Sequence, residues 1–363
     1  MRNSVAFVIA LLAASHAVAQ PAPQPTKQPA APAPSPDGQG VYGLYCSGFA
    51  AGSEKMFSDI VEIIDRTYLN AVVIDVKGDS GRLSYKSEVP LARKYGSGQA
   101  KIKDITGLIR TLKDRNIIAI ARIVAFKDQW MAEKNQAWAV RDIDGGVWKD
   151  RKGAAWIDPY NRKYWDYLVE IAEEAVRHGF VEIQFDYVRF TSDGDTSRCV
   201  YPARTRTSKQ DLIAQFLEYA SRRLRPSGVK VSADIFGLAT STPGDMGIGQ
   251  NLEKIALNTD IVCPMVYPSH YGAGNLGIAD PDRNPYRTVF RGVSDGMARL
   301  DAAGLKTMMR PWLQAFSIKN RYGKAQIADQ VRATIDAGAR EWLFWNAGCV
   351  YKLEWFQEPS LRR

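Results

Sequence analysis

Two aspartates occupy matching places in two alternating stretches of the sequence. Asp186 lies near the end of residues 181–187, and Asp234 lies near the end of residues 229–235. In both stretches apolar residues alternate with polar ones, which predicts strands whose two faces differ. Two carboxylates on neighbouring strands suit glycoside hydrolysis, in which one acid protonates the leaving oxygen and the other attacks or activates water. We expect Asp186 to be the nucleophile or base and Asp234 the acid, although the sequence also allows the reverse.

Both aspartates also have a structural interpretation. Each could cap a loop or form an ion pair with an internal arginine, for which Arg122 and Arg189 are the candidates. A third acid, Asp75, ends another alternating stretch and could orient a substrate. An ion pair of Asp75 with Lys77 or Arg122 is its simpler interpretation.

Residues that could hold a sugar follow or end the predicted strands. Flat aromatic faces can stack on the C–H surfaces of a sugar, and polar side chains can bind its hydroxyls, although aromatic residues also fill cores. Trp312 is a good candidate because it lies at a predicted strand end. The expected substrate-binding residues are Asp75, Arg122, Tyr187, Arg189, Tyr267, His270, Trp312, Gln314, Trp345 and Asn346.

Several other chemistries are disfavoured by the residues that the chain lacks. Only His178 and His270 follow the leader, so a zinc site with two or three His ligands is not expected. No Gly-x-Ser-x-Gly elbow occurs, and Gly78-Asp79-Ser80-Gly81 resembles a serine-protease nucleophile loop only by coincidence. No Gly-x-Gly-x-x-Gly follows the first predicted strand, which disfavours a dinucleotide site. We expect neither a metal nor a cofactor.

The first nineteen residues have the features of a secretory signal peptide. Arg2 gives a positive start, residues 5–14 are apolar, and Ala17-Val18-Ala19 offers a cleavage site after Ala19. An uncleaved anchor is the alternative, but the apolar run is shorter than the ~20 residues that cross a bilayer. Residues 1–19 therefore predict a periplasmic or secreted protein, and no later segment predicts a transmembrane helix.

The remaining chain divides into a linker and one domain. Residues 20–39 are rich in Pro and Ala, which is typical of an extended, disordered spacer. Residues 40–363 then form a single domain. The hydrophobic fraction of 45% and the nine Trp indicate a folded protein with a sizeable core.

The charge of the chain does not identify a partner. The net charge of +9 could suit an anionic polymer, yet periplasmic proteins are often basic for solubility alone. The basic residues are scattered, so no nucleic-acid partner is expected. The exception is a cluster formed by Arg198, Arg204, Arg206 and Lys209.

Strands alternate with amphipathic helices along the whole domain, which predicts parallel strands joined by right-handed crossovers. Eight such units favour a closed (β/α)8 barrel, whose active site lies at the C-terminal ends of the strands. The predicted strands are Val41–Cys46, Ala71–Lys77, Ile117–Val124, Val181–Tyr187, Val229–Ile235, Ile261–Tyr267, Lys306–Arg310 and Glu341–Asn346. The predicted helices include Lys55–Tyr68, Ile105–Arg115, Arg162–His178, Lys209–Arg225, Thr288–Ala303 and Ala325–Ala337.

A closed barrel also makes its first and last strands neighbours. Cys46 ends the first predicted strand and Cys349 follows the eighth, so a disulfide between them is reasonable if their Cα atoms lie within ~7 Å. Cys199 and Cys263 are expected to be a loop thiol and a small buried apolar residue.

Four segments resemble, in the same order, segments of one bacterial family. They read Trp-Ile-Asp-Pro-Tyr at residues 156–160, Glu-Ile-Gln-Phe-Asp-Tyr-Val-Arg-Phe at 182–190, Cys-Pro-Met-Val-Tyr-Pro-Ser-His-Tyr at 263–271 and Arg-Pro-Trp-Leu-Gln at 310–314. That family is described as a putative glycosyl hydrolase domain of otherwise unknown function, and the resemblance covers about residues 41–351. It implies a TIM barrel with Asp186 as the catalytic carboxylate, but no particular substrate.

Two details qualify this resemblance. The family tends to have Pro after the Val-Arg-Phe element, whereas Thr191 stands here, which puts the shape of the following loop in doubt. The ending of the sixth strand, from Met265 to Tyr267, is similar to that of chitinase-like barrels. Their fourth strand ends in Glu, however, so substrate-assisted cleavage of an N-acetylated sugar is not indicated.

The sequence leaves three functions open. The first is hydrolysis of an oligo- or polysaccharide outside the cytoplasm by Asp186 and Asp234. The second is a barrel that binds glycans without turnover, which would have the same aromatic residues. The third is a lyase or transglycosylase that uses the same groove.

Overall fold

The structure, a computed structural model, describes residues 40–357, so the predicted signal peptide and linker lie outside the described residues. Within that range eight parallel strands close into a barrel with helices between them, which confirms the predicted (β/α)8 class. The strands are β1 Tyr42–Cys46, β2 Ala71–Lys77, β3 Ile118–Val124, β4 Glu182–Asp186, β5 Lys230–Phe236, β6 Ile261–Met265, β7 in two pieces at Met308–Met309 and Trp312–Gln314, and β8 Trp342–Trp345.

The barrel closes through β1 and the second piece of β7. Strand β1 pairs with both β2 and β8, with Tyr42 opposite Trp342. Trp312 in β7 lies opposite Met265 of β6 and Leu343 of β8. The seventh strand therefore extends beyond the predicted Lys306–Arg310. Pro311, which has no backbone N–H to donate, separates the two pieces.

The helices lie outside the strands and begin and end at recognisable residues. The longest two are α6 and α9, and α6 ends at Gly179, whose φ of 106° supplies a left-handed C-cap. Helix α9 begins at Pro285, three residues before the predicted start, because proline is favoured in the first turn of a helix. The helices are α1 Gly48–Gly52, α2 Glu54–Asp65, α3 Pro90–Tyr95, α4 Ile105–Asp114, α5 Gln129–Lys134, α6 Arg162–His178, α7 Lys209–Leu224, α8 Leu252–Ala256, α9 Pro285–Ala302 and α10 Lys324–Asp336.

The two faces of the strands have different surroundings, as their alternating sequences predict. On β4, the Phe185 ring contacts Phe216 of α7, with 5.2 Å between the centroids. The polar residues of the same strand face the inside of the barrel. Glu182 accepts two hydrogen bonds from Arg310, at 2.8 and 2.9 Å, and Glu341 accepts a third at 2.7 Å. A buried ion-pair cluster of Arg310, Glu182 and Glu341 therefore lies inside the barrel below the residues nearer the mouth.

Two long loops form a wall at the mouth of the barrel. One follows β3 and the other follows β4, and they pair through two short antiparallel strands, Arg141–Asp142 and Cys199–Val200. The Arg198 side chain donates to Asp142 at 2.5 and 3.1 Å. Arg198 of the basic cluster thus forms an ion pair within the protein. This ion pair and the short strand pairing hold the two loops together.

The predicted disulfide between Cys46 and Cys349 is wrong, because both residues are free thiols. Their strands β1 and β8 are neighbours as expected. Cys349, however, lies in a turn with a φ of 53°, and its sulfur accepts a hydrogen bond from the Ser47 amide at 3.1 Å. The turn therefore directs this sulfur to the backbone after β1.

Among residues 40–357, no helix is long and apolar enough to span a bilayer.

Candidate active site

A cavity of about 330 Å³ opens at the C-terminal ends of the strands. Its volume lies at the lower end of the range usual for small-molecule sites. Most of the predicted site residues line it, and the loops after several different strands contribute to it. The lining residues are Asp79, Arg122, Asp186, Tyr187, Arg189, Asp234, Phe236, Gly237, Leu238, Met265, Tyr267, His270, Tyr271, Trp312 and Trp345.

Asp186 and Asp234 lie side by side on neighbouring strands. In the parallel pairing of β4 with β5, Phe185 lies opposite Ala233, and each aspartate is the next residue of its strand. Both side chains line the cavity, and both residues are buried. The two carboxyl groups therefore lie in the same cavity and are largely shielded from solvent.

Arg122, on β3, is the centre of the charged network in this space. Its guanidinium donates to Asp186 Oδ2 from Nε at 3.0 Å and from Nη2 at 2.5 Å. It also donates to Asp75 Oδ1 at 2.7 Å and to Asp79 Oδ1 at 3.2 Å. Although burial opposes the charge, Asp75 and Asp186 raise the pKa of Arg122. The arginine is thus a permanent cation shared by three carboxylates.

Asp234 has a different environment from its neighbour. It forms no ion pair among the described residues, and its Oδ1 accepts a hydrogen bond from Trp312 Nε1 at 2.8 Å. Burial, followed by the negative charge of Asp186, raises the pKa of Asp234 well above its ordinary value. The neighbouring aspartates therefore differ in environment, since Asp186 is ion-paired with Arg122, whereas Asp234 has no cationic partner among the described residues and its raised pKa favours the neutral acid.

The backbone turns sharply just after Asp186. Tyr187 has a φ of 51°, a left-handed conformation that is uncommon for a residue with a bulky side chain. In this conformation its amide donates to Asp186 Oδ1 at 2.6 Å, and its hydroxyl lies 3.4 Å from Asp79 Oδ2. The turn thus fixes one carboxylate oxygen of Asp186 while Arg122 fixes the other.

Arg189 lines the cavity on the side of the β4 loop, and it is 6% exposed. Its Nη1 donates to Phe190 O at 3.0 Å and to Ser192 Oγ at 2.8 Å. Its guanidinium lies over the rings of Trp156, Tyr187 and Phe236, 4.6 to 5.1 Å from their centroids. The group is thus held between aromatic faces.

Aromatic rings form much of the remaining lining. Trp345 stacks on Tyr45 with 3.8 Å between the centroids, and Trp312 meets its edge at 5.6 Å. On the other side, Tyr267 and His270 pack edge to face at 5.3 Å. These flat surfaces are suited to the apolar face of a sugar ring.

Three predicted site residues are absent from the lining. Asp75 lies behind Arg122, where Tyr45 also donates to it at 2.6 Å, and burial raises the pKa of Asp75. Gln314 and Asn346 bind backbone groups of the loops at the mouth, including Ser269 N and Ala315 O. Their geometry favours positioning of the loops, and direct contact of these three residues with a substrate stays a prediction.

Several lining residues were not among the predicted site residues. Asp79 lies in the loop after β2 and contacts Arg122, but its surroundings in the sequence only suggested a chance match to a protease motif. Tyr271 stood out only as one more aromatic residue near a strand end. The remainder, Phe236, Gly237, Leu238 and Met265, lie at or just after the ends of β5 and β6. All of them except Met265 follow the end of a predicted strand within about four residues, whereas Met265 lies inside the sixth predicted strand.

Among the described residues, no group of three His, Cys, Asp or Glu side chains is arranged as metal ligands are. The cavity holds a buried acid, Asp234, beside the ion-paired carboxylate of Asp186. Such a pair can donate a proton at one atom while it supplies negative charge at another.

Comparison with solved structures supports this architecture. The glycoside hydrolase domain of PgaB (BpsB) from Bordetella bronchiseptica matches with a TM-score of 0.62 at 12% identity, covering 86% of this chain and 95% of that one. The spore cortex-lytic enzyme SleL of Bacillus megaterium matches with a TM-score of 0.52 at 12% identity, covering 89% and 74%. At such identities these likenesses establish the fold alone.

A hypothetical protein from Ruminiclostridium thermocellum is more similar in sequence. It is 39% identical over 53% of this chain and 96% of its own, with a TM-score of 0.49. The comparison with curated proteins gives no match. The family model described as a putative glycosyl hydrolase domain matches residues 43–351, almost the whole of the described barrel. This chain therefore belongs to the putative glycosyl hydrolase domain family.

Proposed function

We propose that the protein is a glycoside hydrolase that cleaves a glycan outside the cytoplasm, with Asp186 and Asp234 as its carboxylate pair. One observation carries the proposal: adjacent aspartates in one cavity have opposite electrostatic environments. Asp186 is paired with Arg122, whereas burial and the charge of Asp186 raise the pKa of Asp234. Glycoside hydrolysis needs this division between an anion and an acid.

The proposed reaction begins with proton transfer from Asp234. Its proton passes to the glycosidic oxygen as the C–O bond breaks, and the leaving sugar departs as an alcohol. Asp186 either forms a bond to the anomeric carbon or takes a proton from the water whose oxygen forms that bond. In the first route, water later cleaves the glycosyl ester while Asp234 takes back a proton.

The extracytoplasmic location belongs to this proposal. It is supported by the signal-like features of residues 1–19, which include the apolar run at 5–14 and the small residues before Gln20. Fractionation of cells that express the full chain, with mass measurement of its N-terminus, tests it. A product that retains Met1 in the cytoplasm would contradict this part of the proposal.

The proposed activity is tested by incubating the purified protein with exopolysaccharides and cell-wall glycans and measuring the reducing ends released. Hydrolysis predicts products whose mass includes one water per bond cleaved. Binding without release would instead identify a glycan-binding barrel, for which the aromatic lining is equally suited. Products with an unsaturated ring or a transferred sugar would identify a lyase or a transglycosylase.

Replacing Trp312 by Phe is expected to shift the pH profile. The indole N–H donates to Asp234 and so lowers the pKa of that carboxyl; its loss raises the pKa further. Since the general acid must be protonated, activity falls as the pH rises through this pKa. The alkaline limb of kcat/KM should therefore move to higher pH in the variant, whatever happens to the maximum rate.

Trp345→Phe is the matched control for this change, because Trp345 also lines the cavity, stacks on Tyr45, and does not donate to Asp234. Its alkaline limb should stay in place. An unchanged or acid-shifted limb in Trp312→Phe would contradict the assignment of Asp234 as the acid.

Replacing Asp234 by Asn is expected to stabilise the protein while activity falls about a hundredfold or more. The folded-state pKa of Asp234 lies above its unfolded value, so stability is lost as the pH rises from about 4 through the folded pKa. Asn carries no charge and still accepts from Trp312. The gain should be about 1–2 kcal/mol at neutral pH, measured as an increase in Tm.

The same comparison at pH 4 provides the control. At pH 4 Asp234 is protonated in the folded protein and only about half ionised in the unfolded chain, so the native protein and the Asn variant should have similar Tm values. An Asp234→Asn variant that is less stable than the native protein at neutral pH would show that ionisation of the buried Asp234 does not destabilise the fold as expected.

A further inference from the structure

Arg189 differs from the other buried arginines of the barrel. Among residues 40–357, three arginines are buried, namely Arg122, Arg189 and Arg310. Arg122 contacts three carboxylates, and Arg310 contacts Glu182 and Glu341. No carboxylate of the described residues lies within 4.0 Å of the Arg189 guanidinium, the distance that defines an ion pair. Since buried charges are normally paired, this cation lacks the partner that its environment requires.

The acids nearest to Arg189 are already committed to other groups. Asp186 is bound by Arg122, and Asp193 pairs with Arg151 at 3.4 Å. Asp150 accepts hydrogen bonds from the Trp156 indole and from two backbone amides, at 2.9 to 3.0 Å. No described carboxylate is therefore available to approach Arg189 without breaking a contact that it already makes.

The unused part of the guanidinium has a definite shape. Both protein acceptors of Arg189 are bound by Nη1, which leaves Nε and Nη2 without a hydrogen-bond partner among the described residues. These two nitrogens form one edge of the planar group, and the edge belongs to a residue that lines the cavity. Two parallel N–H groups of this kind match the two coplanar oxygens of a carboxylate.

The aromatic rings keep this edge in place. Trp156, Tyr187 and Phe236 surround the guanidinium, so its plane is held before any ligand arrives. Arg189 also follows Asp186 by only three residues, on the loop that begins at the end of β4. A ligand group bound there therefore lies in the same cavity as the carboxylate pair.

We propose that Arg189 binds the carboxylate of a sugar acid and that the glycan accepted by this cavity contains uronic acid residues. The inference rests on the proposed function, because it assigns the substrate class of the same site. It makes Arg189 a specificity-determining residue whose contact with the sugar carboxylate gives this buried cation an anionic partner.

The test is equilibrium binding by calorimetry to oligosaccharides of galacturonate, mannuronate and glucuronate, each compared with its carboxyl-reduced form. At least one acid form should bind native protein about tenfold to a hundredfold more tightly than its reduced counterpart, as expected for a bidentate charge-assisted contact. Arg189→Met should bring the ratio of acid-form to reduced-form affinity close to one, whatever the change in affinity for the reduced form. Arg189→Lys should keep part of the preference.

Arg332→Met is the matched control, because Arg332 is an exposed arginine of α10, paired with Asp329 at 2.7 Å. It makes the same change of net charge away from the cavity and should keep the full preference. The Tm of each variant establishes that it is folded, and the conservative Arg189→Lys variant remains informative if Arg189→Met does not fold.

The proposal is overturned if no acid form across the panel is preferred, if Arg189→Met retains the preference, or if sulfated dextran oligosaccharides bind more tightly than every uronate. Product masses measured on the same oligosaccharides separate this proposal from the proposed hydrolysis. Selective binding of an acid form without cleavage would support the role of Arg189 and reject hydrolysis. Cleavage restricted to neutral glycans would do the reverse.

Discussion

Replacing Asp186 by Asn is expected to reduce glycan hydrolysis about 10³- to 10⁴-fold while the protein stays folded. The amide can neither attack the anomeric carbon nor accept a proton from water, and effects of this size are usual when a group that acts as base is removed. Its oxygen can still accept from Arg122, which now donates to Asp186 Oδ2 from two nitrogens. Reducing-end release at saturating substrate, with Tm measured in parallel, tests this expectation.

Asp193→Asn is the control for that experiment. Asp193 lies on the same loop, pairs with Arg151 at the surface and is absent from the cavity lining, so the same chemical change should leave kcat within about twofold. An Asp186→Asn variant with near-native turnover would refute the assignment of Asp186. A control that loses as much activity would indicate that the loop, and not the carboxylate, is what the reaction requires.

Replacing Arg122 by Met is expected to destabilise the protein by about 3–5 kcal/mol at neutral pH, as is usual when one partner of a buried ion pair is removed. Asp75 and Asp186 would remain buried without their cation. Asp79 would lose one of its two cationic partners and keep Lys127. Chemical denaturation with urea, monitored by fluorescence of the nine Trp, measures the difference.

The pH dependence of that loss identifies its cause. In the variant the unpaired carboxyls have folded pKa values above their unfolded ones, so they cost stability at neutral pH and this cost falls as they protonate toward pH 4. The difference between variant and native protein should shrink over that range. Arg122→Lys keeps the positive charge but not the several N–H donors of the planar guanidinium. Its loss of stability should be intermediate between zero and that of Arg122→Met. A loss below about 1 kcal/mol would contradict the central role of Arg122.

The barrel could be predicted because its signal is repeated along the chain. Every barrel strand overlaps a predicted strand, and the residues of β4 and β5 divide as expected into a helix-facing set and an inner set. Because Phe185 lies opposite Ala233, the next residues, Asp186 and Asp234, also lie side by side. The order of the strands in a parallel barrel is enough to predict that these two residues are neighbours. Regular elements thus fix the neighbourhood of the two aspartates.

The remaining features depend on loops and on single side chains, for which periodicity gives no information. Asp79 is brought to Arg122 by a turn after β2. Gln314 was expected in the cavity, but its amide bridges Ser269 and Phe316 instead. Cys349 follows the strand that neighbours the strand of Cys46, but both thiols are free and the Cys349 sulfur accepts a hydrogen bond from the Ser47 amide.

The left-handed turn at Tyr187 has a consequence for the energetics of the reaction. Since a backbone amide holds one oxygen of Asp186 and Arg122 holds the other, the carboxylate has almost no torsional freedom left to lose when a glycan arrives. In the proposed reaction, the entropy lost in orienting the Asp186 carboxylate is thus lost already during folding. The strain of the unfavourable φ at Tyr187 arises in the same step. A glycine in place of Tyr187 would adopt the same φ without strain, but its wider range of backbone conformations would hold the amide, and with it the Asp186 carboxylate, less firmly.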